Sequence, residues 1–127
     1  MRVIVTGACG FVAYHVSKAL LERGDELCCF DSMNPYYSQS LKEDRGKDIG
    51  TEINIMDVAN PALKDYFYSF NPDIVVHLAA QAGVRHSISH PEEYTHNNLV
   101  AFMNVIECCR RFKVPLVYAS SSSVYGG

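Results

Sequence analysis

Two glycines, Gly7 and Gly10, are the first residues in this chain whose type and spacing could do chemistry. They lie in Thr6-Gly7-Ala8-Cys9-Gly10-Phe11-Val12-Ala13, after the apolar run Val3-Ile4-Val5 and before a helical pattern. A turn between a strand and a helix collects an anion, because backbone N–H groups point at it and the positive helix end adds to them. Gly7 suits the tight turn. Gly10 removes a side chain where a phosphate approaches the backbone, and Phe11 and Val12 open the helix beside it. Asp31 follows at the distance expected of a carboxylate that accepts hydrogen bonds from a ribose, with Ser32 and Asn34 just beyond. Phosphates plus ribose make a dinucleotide. Asp31 favours NAD over NADP, since it repels a 2′-phosphate and no arginine stands just after it to receive one.

Other polar residues carry two readings each. Asp57, followed by Val58, either caps the next turn or accepts from the adenine amino group. Asn97 and Asn98 are either satisfied core amides or groups on a helix facing the cofactor. Cys9 is either a backbone position or a thiol lowered in pKa by a helix N-terminus. Tyr36 and Tyr37 are either an aromatic platform or loop packing. His86, His90 and His96 invite a metal reading, but no cysteine or carboxylate joins them at ligand spacing and Pro91 breaks the helix there. No metal is expected.

The elements that must position these residues alternate. Strands are predicted at Arg2–Thr6, Glu26–Asp31, 51–56, 74–78 and 115–120. The first helix carries a stripe of Val12, Val16, Ala19 and Leu20 and is ended by Gly24 as a left-handed cap. Residues 32–50 read as a polar loop with at most one helical turn near Leu41. Residues 51–56 alternate, Ile53 and Ile55 with polar neighbours. Asn60-Pro61 starts a short helix with Leu63, Phe67 and Phe70 inward, stopped by Pro72-Asp73. The longest helix runs from Pro91 to Lys113. The class is α/β: a parallel sheet ordered 3-2-1-4-5 with helices on both faces. Ligands bind at the carboxyl ends of such strands. There the chain places Gly7 and Gly10, Asp31, Asp57, the small turn Leu78-Ala79-Ala80-Gln81, and the serines at 120–123.

Composition narrows the class. The 127 residues fit one domain, 1–127. They are 48% hydrophobic and 20% charged, as in an ordinary globular core. A net charge of −3 excludes a basic field for nucleic acid. No apolar run approaches the length that spans a bilayer, and no signal peptide is expected. Five cysteines in an odd set with two vicinal pairs read as core thiols in a reducing compartment, hence the cytoplasm.

Thr6-Gly7-x-x-Gly10-x-x-Ala13, His77-Leu78-Ala79-Ala80, Asn98-Leu99 and Ser120-Ser121-Ser122-Ser123-Val124-Tyr125-Gly126 resemble the extended short-chain dehydrogenase/reductases, the NAD-dependent nucleotide-sugar epimerases and dehydratases. Asn34-Pro35-Tyr36-Tyr37, Leu41-Lys42 and Ala80-Gln81-Ala82-Gly83-Val84-Arg85 look most like the UDP-glucuronate 4-epimerases. The resemblance implies a Rossmann-type sheet, bound NAD, a UDP-sugar substrate, and a homodimer through the long helix. It implies transient oxidation at C4 of the sugar and return of hydride to the other face. Ser121 is then the hydroxyl on the reacting oxygen. Ser122 stands where dehydratases carry an acid, which favours epimerisation over dehydration or decarboxylation. Ser122 and Ser123 lie near the substrate; Arg85 meets its carboxylate or is a solvated loop residue. Two departures are read. Ala13 replaces the third glycine. The Tyr-x-x-x-Lys pair of the family is read as absent, because neither Tyr118 nor Tyr125 has a lysine at the required offset. The expectation is an N-terminal part of a longer pattern, without turnover by itself. The alternative is a non-catalytic module that binds NAD or dimerises.

Overall fold

The computed structural model describes residues 1–33, 39–79, 89 and 91–120. Its five strands are β1 (Arg2–Thr6), β2 (Glu26–Asp31), β3 (Ile53–Ile55), β4 (Ile74–His77) and β5 (Leu116–Tyr118). They form one sheet in the order β3-β2-β1-β4-β5, with every pairing parallel. The order and the bounds of β1 and β2 are as the sequence predicts. In register, Thr6 lies opposite Phe30 on one side and His77 on the other, so the strand ends are level.

Val3, Ile4 and Val5 are all fully buried, as a strand covered on both faces requires. Alternation sends them to different cores. Val3 and Val5 join Ala8, Ala13, Leu27, Cys29 and Ile49 on one face. Ile4 joins Phe30, Val75, Phe67 and Val105 on the other.

Helix α1 (Phe11–Arg23) ends at Gly24, whose φ of +95° is the expected left-handed cap. Its buried face matches the predicted stripe only in part, since Leu20 packs against the core. Ala13 and Ser17 are buried, whereas Val12 is 58% exposed and Ala19 is exposed. Small residues let the helix approach the sheet closely. Ala13 at the third glycine position packs against the Val3–Val5 core and is tolerated there.

The stretch read as a loop contains a helix, α2 (Gln39–Ile49). Its sequence lacks an apolar stripe, so its order comes from a few tertiary contacts. Ile49 is buried, Asp48 meets Tyr14 and Lys18 of α1, and Arg45 reaches the first turn of the fold. A Cβ at Gly46 would stand 3.4 Å from Cys9 Sγ, which marks how close α2 comes.

Strand β3 is an edge, and Ile55 at its end is 72% exposed. Helix α3 (Leu63–Phe70) buries Leu63 and Phe67 as predicted. Asn60 leads into it by accepting the Ala62 and Leu63 N–H groups at 2.9 and 3.0 Å, so the helix begins after the turn. The predicted long helix is divided into α4 (Pro91–Tyr94), a π-helical segment (Thr95–Val100) and α5 (Ala101–Phe112). Helix α5 buries Ala101, Val105, Cys108 and Cys109.

Candidate dinucleotide-binding site

The site is built where the strands end. After β1 the chain turns at Gly7, whose φ is +67°. A Cβ there would lie 2.8 Å from the Ala79 backbone, so the turns after β1 and β4 touch through the missing side chain. Thr6 joins them a second time. Its Oγ1 accepts from the N–H groups of Leu78 and Ala79 at 3.0 and 3.1 Å and donates to His77 Nδ1 at 2.7 Å. His77 is buried and stacked on Phe102 with ring centroids 5.1 Å apart. Burial pushes its pKa down to about 4, so it is neutral and Nδ1 accepts.

Gly10 has an ordinary φ of −73° and donates its N–H to Gly7 O at 2.8 Å. A Cβ added at Gly10 would meet Gly7 O alone, at 3.1 Å. No side chain caps the first turn of α1, and Phe11 and Val12 beside it are exposed. These are the conditions under which a helix N-terminus receives an anion.

Asp31 is buried at the end of β2. Its Oδ2 accepts from Cys9 N–H at 3.0 Å and its Oδ1 from Met33 N–H at 2.7 Å. The carboxylate therefore fixes the glycine turn from the side where a ribose is expected, with Ser32 exposed next to it. Cys9 itself is buried, so its backbone is the part that works here. None of the five cysteines is in a disulfide. Desolvation pushes Cys28 and Cys109 up to about 11 and Cys29 up to about 12, which makes them core thiols.

Asp57 Oδ1 caps Ala59 N–H at 2.9 Å, as its structural reading requires, and Oδ2 lies 2.5 Å from His96 Nε2. Val58 is buried in the core, so it can offer a ligand only its backbone. Asn97 and Asn98 both fall in the π-helical segment, with Asn98 half-buried. Asn34, Ala80, Gln81, Arg85, Ser121, Ser122 and Ser123 lie outside the described residues, as do Tyr36, Tyr37, His86 and His90.

No arginine stands just after Asp31, but one from α2 reaches the glycine turn: Arg45 Nη1 donates to Cys9 O at 3.1 Å, and its guanidinium carbon lies 5.8 Å from the Phe11 ring centre. One sequence reading needs correction. A Tyr-x-x-x-Lys pair is present, as Tyr14 and Lys18 on α1. Its surroundings are wrong for a base. Tyr14 donates to Asp48, and that bond raises its pKa, where a catalytic tyrosine needs the opposite.

Residues 3–127 match the NAD-dependent epimerase/dehydratase family. The chain belongs to that family. It is 48% identical over 131 residues to protein CapI of Staphylococcus aureus and 43% identical over 130 residues to UDP-glucuronate 4-epimerase 3 of Arabidopsis thaliana. These alignments take in 99% and 98% of this chain but 39% and 30% of the relatives. Among solved structures, it resembles a variant of the UDP-glucuronic acid 4-epimerase from Bacillus cereus, in complex with UDP-4-deoxy-4-fluoro-glucuronic acid and NAD. That likeness has a TM-score of 0.91 at 29% identity, covering 99% of this chain and 42% of that one. It also resembles the UDP-glucose-4-epimerase of Stenotrophomonas maltophila with bound NAD, with a TM-score of 0.85 at 28% identity, covering 99% and 38%. Among the described residues, no helix is long and apolar enough to cross a membrane, and no cluster of three potential ligands could hold a metal.

Thr6, Arg45, His96 and Asn104 shape the site and were not singled out for it from the sequence. The Thr6-Gly7 and His77-Leu78 pairs held a signal for Thr6, because a hydroxyl next to a left-handed glycine can serve two strand ends. Nothing local announced the other three.

Proposed function

We propose that these residues form the NAD-binding part of a nucleotide-sugar 4-epimerase of the UDP-glucuronate type, acting in the cytoplasm. The observation that carries the reading is the pairing of an uncapped, glycine-fronted α1 with a buried Asp31 that grips the same turn. The donor set fits the cofactor: the positive end of α1 and its N–H groups for pyrophosphate, a carboxylate for ribose hydroxyls, and no side chain at Gly10 to stand between them. NAD, when bound, would supply the acceptor and donor of hydride for C4 of the sugar.

In this reading Gly7, Gly10, Phe11 and Val12 give the backbone groups for pyrophosphate. Asp31, with Ser32 and Asn34, holds the adenosine ribose, and Asp57 with the Val58 backbone holds adenine. Leu78, Ala79, Ala80 and Gln81 wall the nicotinamide side with Asn97 and Asn98. Ser121 hydrogen-bonds the reacting oxygen, and Arg85, Ser122 and Ser123 approach the sugar. Tyr14 is not the base, so the 127 residues alone bind the cofactor without turning over the sugar. Exposed Leu99, Val100 and Met103 on the π segment and α5 support a homodimer through this stretch.

Calorimetric titration with NAD and NADP, followed by incubation with NAD and UDP-glucuronate, tests the proposal. The expected result is binding of NAD in preference to NADP and no UDP-galacturonate. Preference for NADP would overturn the role of Asp31, and turnover would overturn the account of the missing base.

A further inference from the structure

The turn between β3 and α3 is held from outside by one helical stretch. His96 of the π segment places Nε2 2.5 Å from Asp57 Oδ2, while Ala59 N–H occupies Oδ1. Further along, Asn104 of α5 donates through Nδ2 to the carbonyls of Val58 at 2.6 Å and Asn60 at 3.1 Å. The stretch therefore grips both the side chain that opens the turn and the backbone that closes it. The π backbone adds a residue to the turn and offsets what precedes it from the buried stripe Ala101, Val105 and Cys109. His96 consequently faces the β3 end rather than the core.

The pair is half-exposed, with His96 at 48% and Asp57 at 41%. Removing His96 thus strands no buried charge, and the fold does not depend on it. What depends on it is the direction of the carboxylate. A carboxylate has about four acceptor positions, so one held from two sides still has acceptor capacity toward the open site.

We propose that His96 is a positioning residue for Asp57, fixing that carboxylate so that it accepts from the exocyclic amine of an adenine ring, with Asn104 setting the turn beneath. The inference rests on the NAD-binding reading above and adds to it the group that enforces adenine over an oxo-purine.

The experiment compares NAD with nicotinamide hypoxanthine dinucleotide, which carries a carbonyl in place of the amine, by calorimetric titration of the full chain. Wild type is expected to prefer NAD by about tenfold, the size of a charge-assisted hydrogen bond at a half-exposed site. His96→Ala should cut that preference to roughly twofold by weakening NAD alone, with an unchanged denaturation midpoint. His96→Gln, which keeps an N–H donor, should restore most of it. An unchanged preference in His96→Ala, or equal weakening of both ligands, overturns the inference. If wild type does not discriminate, or Asp57→Asn keeps the full preference, the adenine role of Asp57 falls while NAD binding stands. If wild type binds neither dinucleotide, the NAD reading falls and this inference falls with it.

Discussion

Replacing Gly7 by alanine separates what the turn does for the fold from what it does for a ligand. Gly7 has a φ of +67°, and a Cβ there would stand 2.8 Å from both Cα and N of Ala79 and 2.9 Å from the Leu78 carbonyl carbon. Every one of those atoms is backbone, so none can swing aside. The left-handed conformation alone costs about 1–2 kcal/mol for a residue with a Cβ. Parting the two turns also stretches the bonds from Leu78 and Ala79 N–H to Thr6 Oγ1, about 1 kcal/mol each at a buried site. Gly7→Ala should therefore lose about 3 kcal/mol or more of stability. Gly24 is the internal control. Its φ is +95° and nothing lies within 4 Å of an added Cβ, so Gly24→Ala should lose only about 1 kcal/mol. Gly10→Ala has an ordinary φ and a single tight contact, with the Gly7 carbonyl oxygen at 3.1 Å, so it should lose about 1 kcal/mol, well short of Gly7→Ala, while NAD affinity falls. Denaturant titrations followed by circular dichroism, analysed at constant m-value, give the three stabilities. If Gly7→Ala and Gly24→Ala lose the same amount, the contact with the β4 turn contributes nothing and the reasoning is wrong.

Stability should fall as pH drops from about 6.5 to about 4. His77 has a folded pKa near 4 against an ordinary 6.5, so over that window the unfolded chain binds the extra proton. The loss is about 3 kcal/mol, and His77→Asn should flatten that part of the pH profile of urea midpoints. Thr6→Val should cost about 2 kcal/mol by stranding the Leu78 and Ala79 N–H groups, with Thr6→Ser recovering most of it in the same titrations. Asp31→Asn should weaken NAD by about tenfold and leave NADP affected less, read by calorimetry. Native protein at pH 8 should react slowly with a thiol reagent, because burial holds Cys28, Cys29 and Cys109 at about 11, 12 and 11, and all five thiols should react once urea is added.

The sheet was legible because its central strands are continuous apolar runs with level ends, and such runs leave few alternatives to a covered parallel strand. Gly24 and the Leu63-Phe67 face were legible for the same kind of reason: one residue type or one period answers one local demand. Helix α2 was not, since its eleven residues carry almost no apolar period and are ordered by Ile49, Asp48 and Arg45 against partners far away in sequence. The π segment was also invisible, because a single added residue in a helix leaves the apolar pattern nearly intact. At the site, Asp31 could be placed from its distance to the glycines. Arg45 and His96 could not, as each depends on an element whose path the sequence did not give. Tyr14 and Lys18 make the reverse point: their spacing is that of a catalytic pair, and only Asp48 beside them shows the electrostatics to be unsuitable.

The bond between Thr6 and His77 joins residues 71 apart in the chain. Strand β1 lies inside the sheet, yet one of its two partners is made only after five other elements, α1 to α3 with β2 and β3 among them, have been completed. A growing chain can zip β1 to β2 early and locally, but the opposite side of β1 stays a bare strand edge until β4 arrives. Closing so large a loop costs entropy before any contact repays it, which places the slow step of folding at the β1–β4 seam. During that interval the exposed side of Val3-Ile4-Val5 is the segment most prone to pair with another chain. Thr6 and Gly7 thus govern how long the nascent protein remains vulnerable, as well as how the finished one holds its turn.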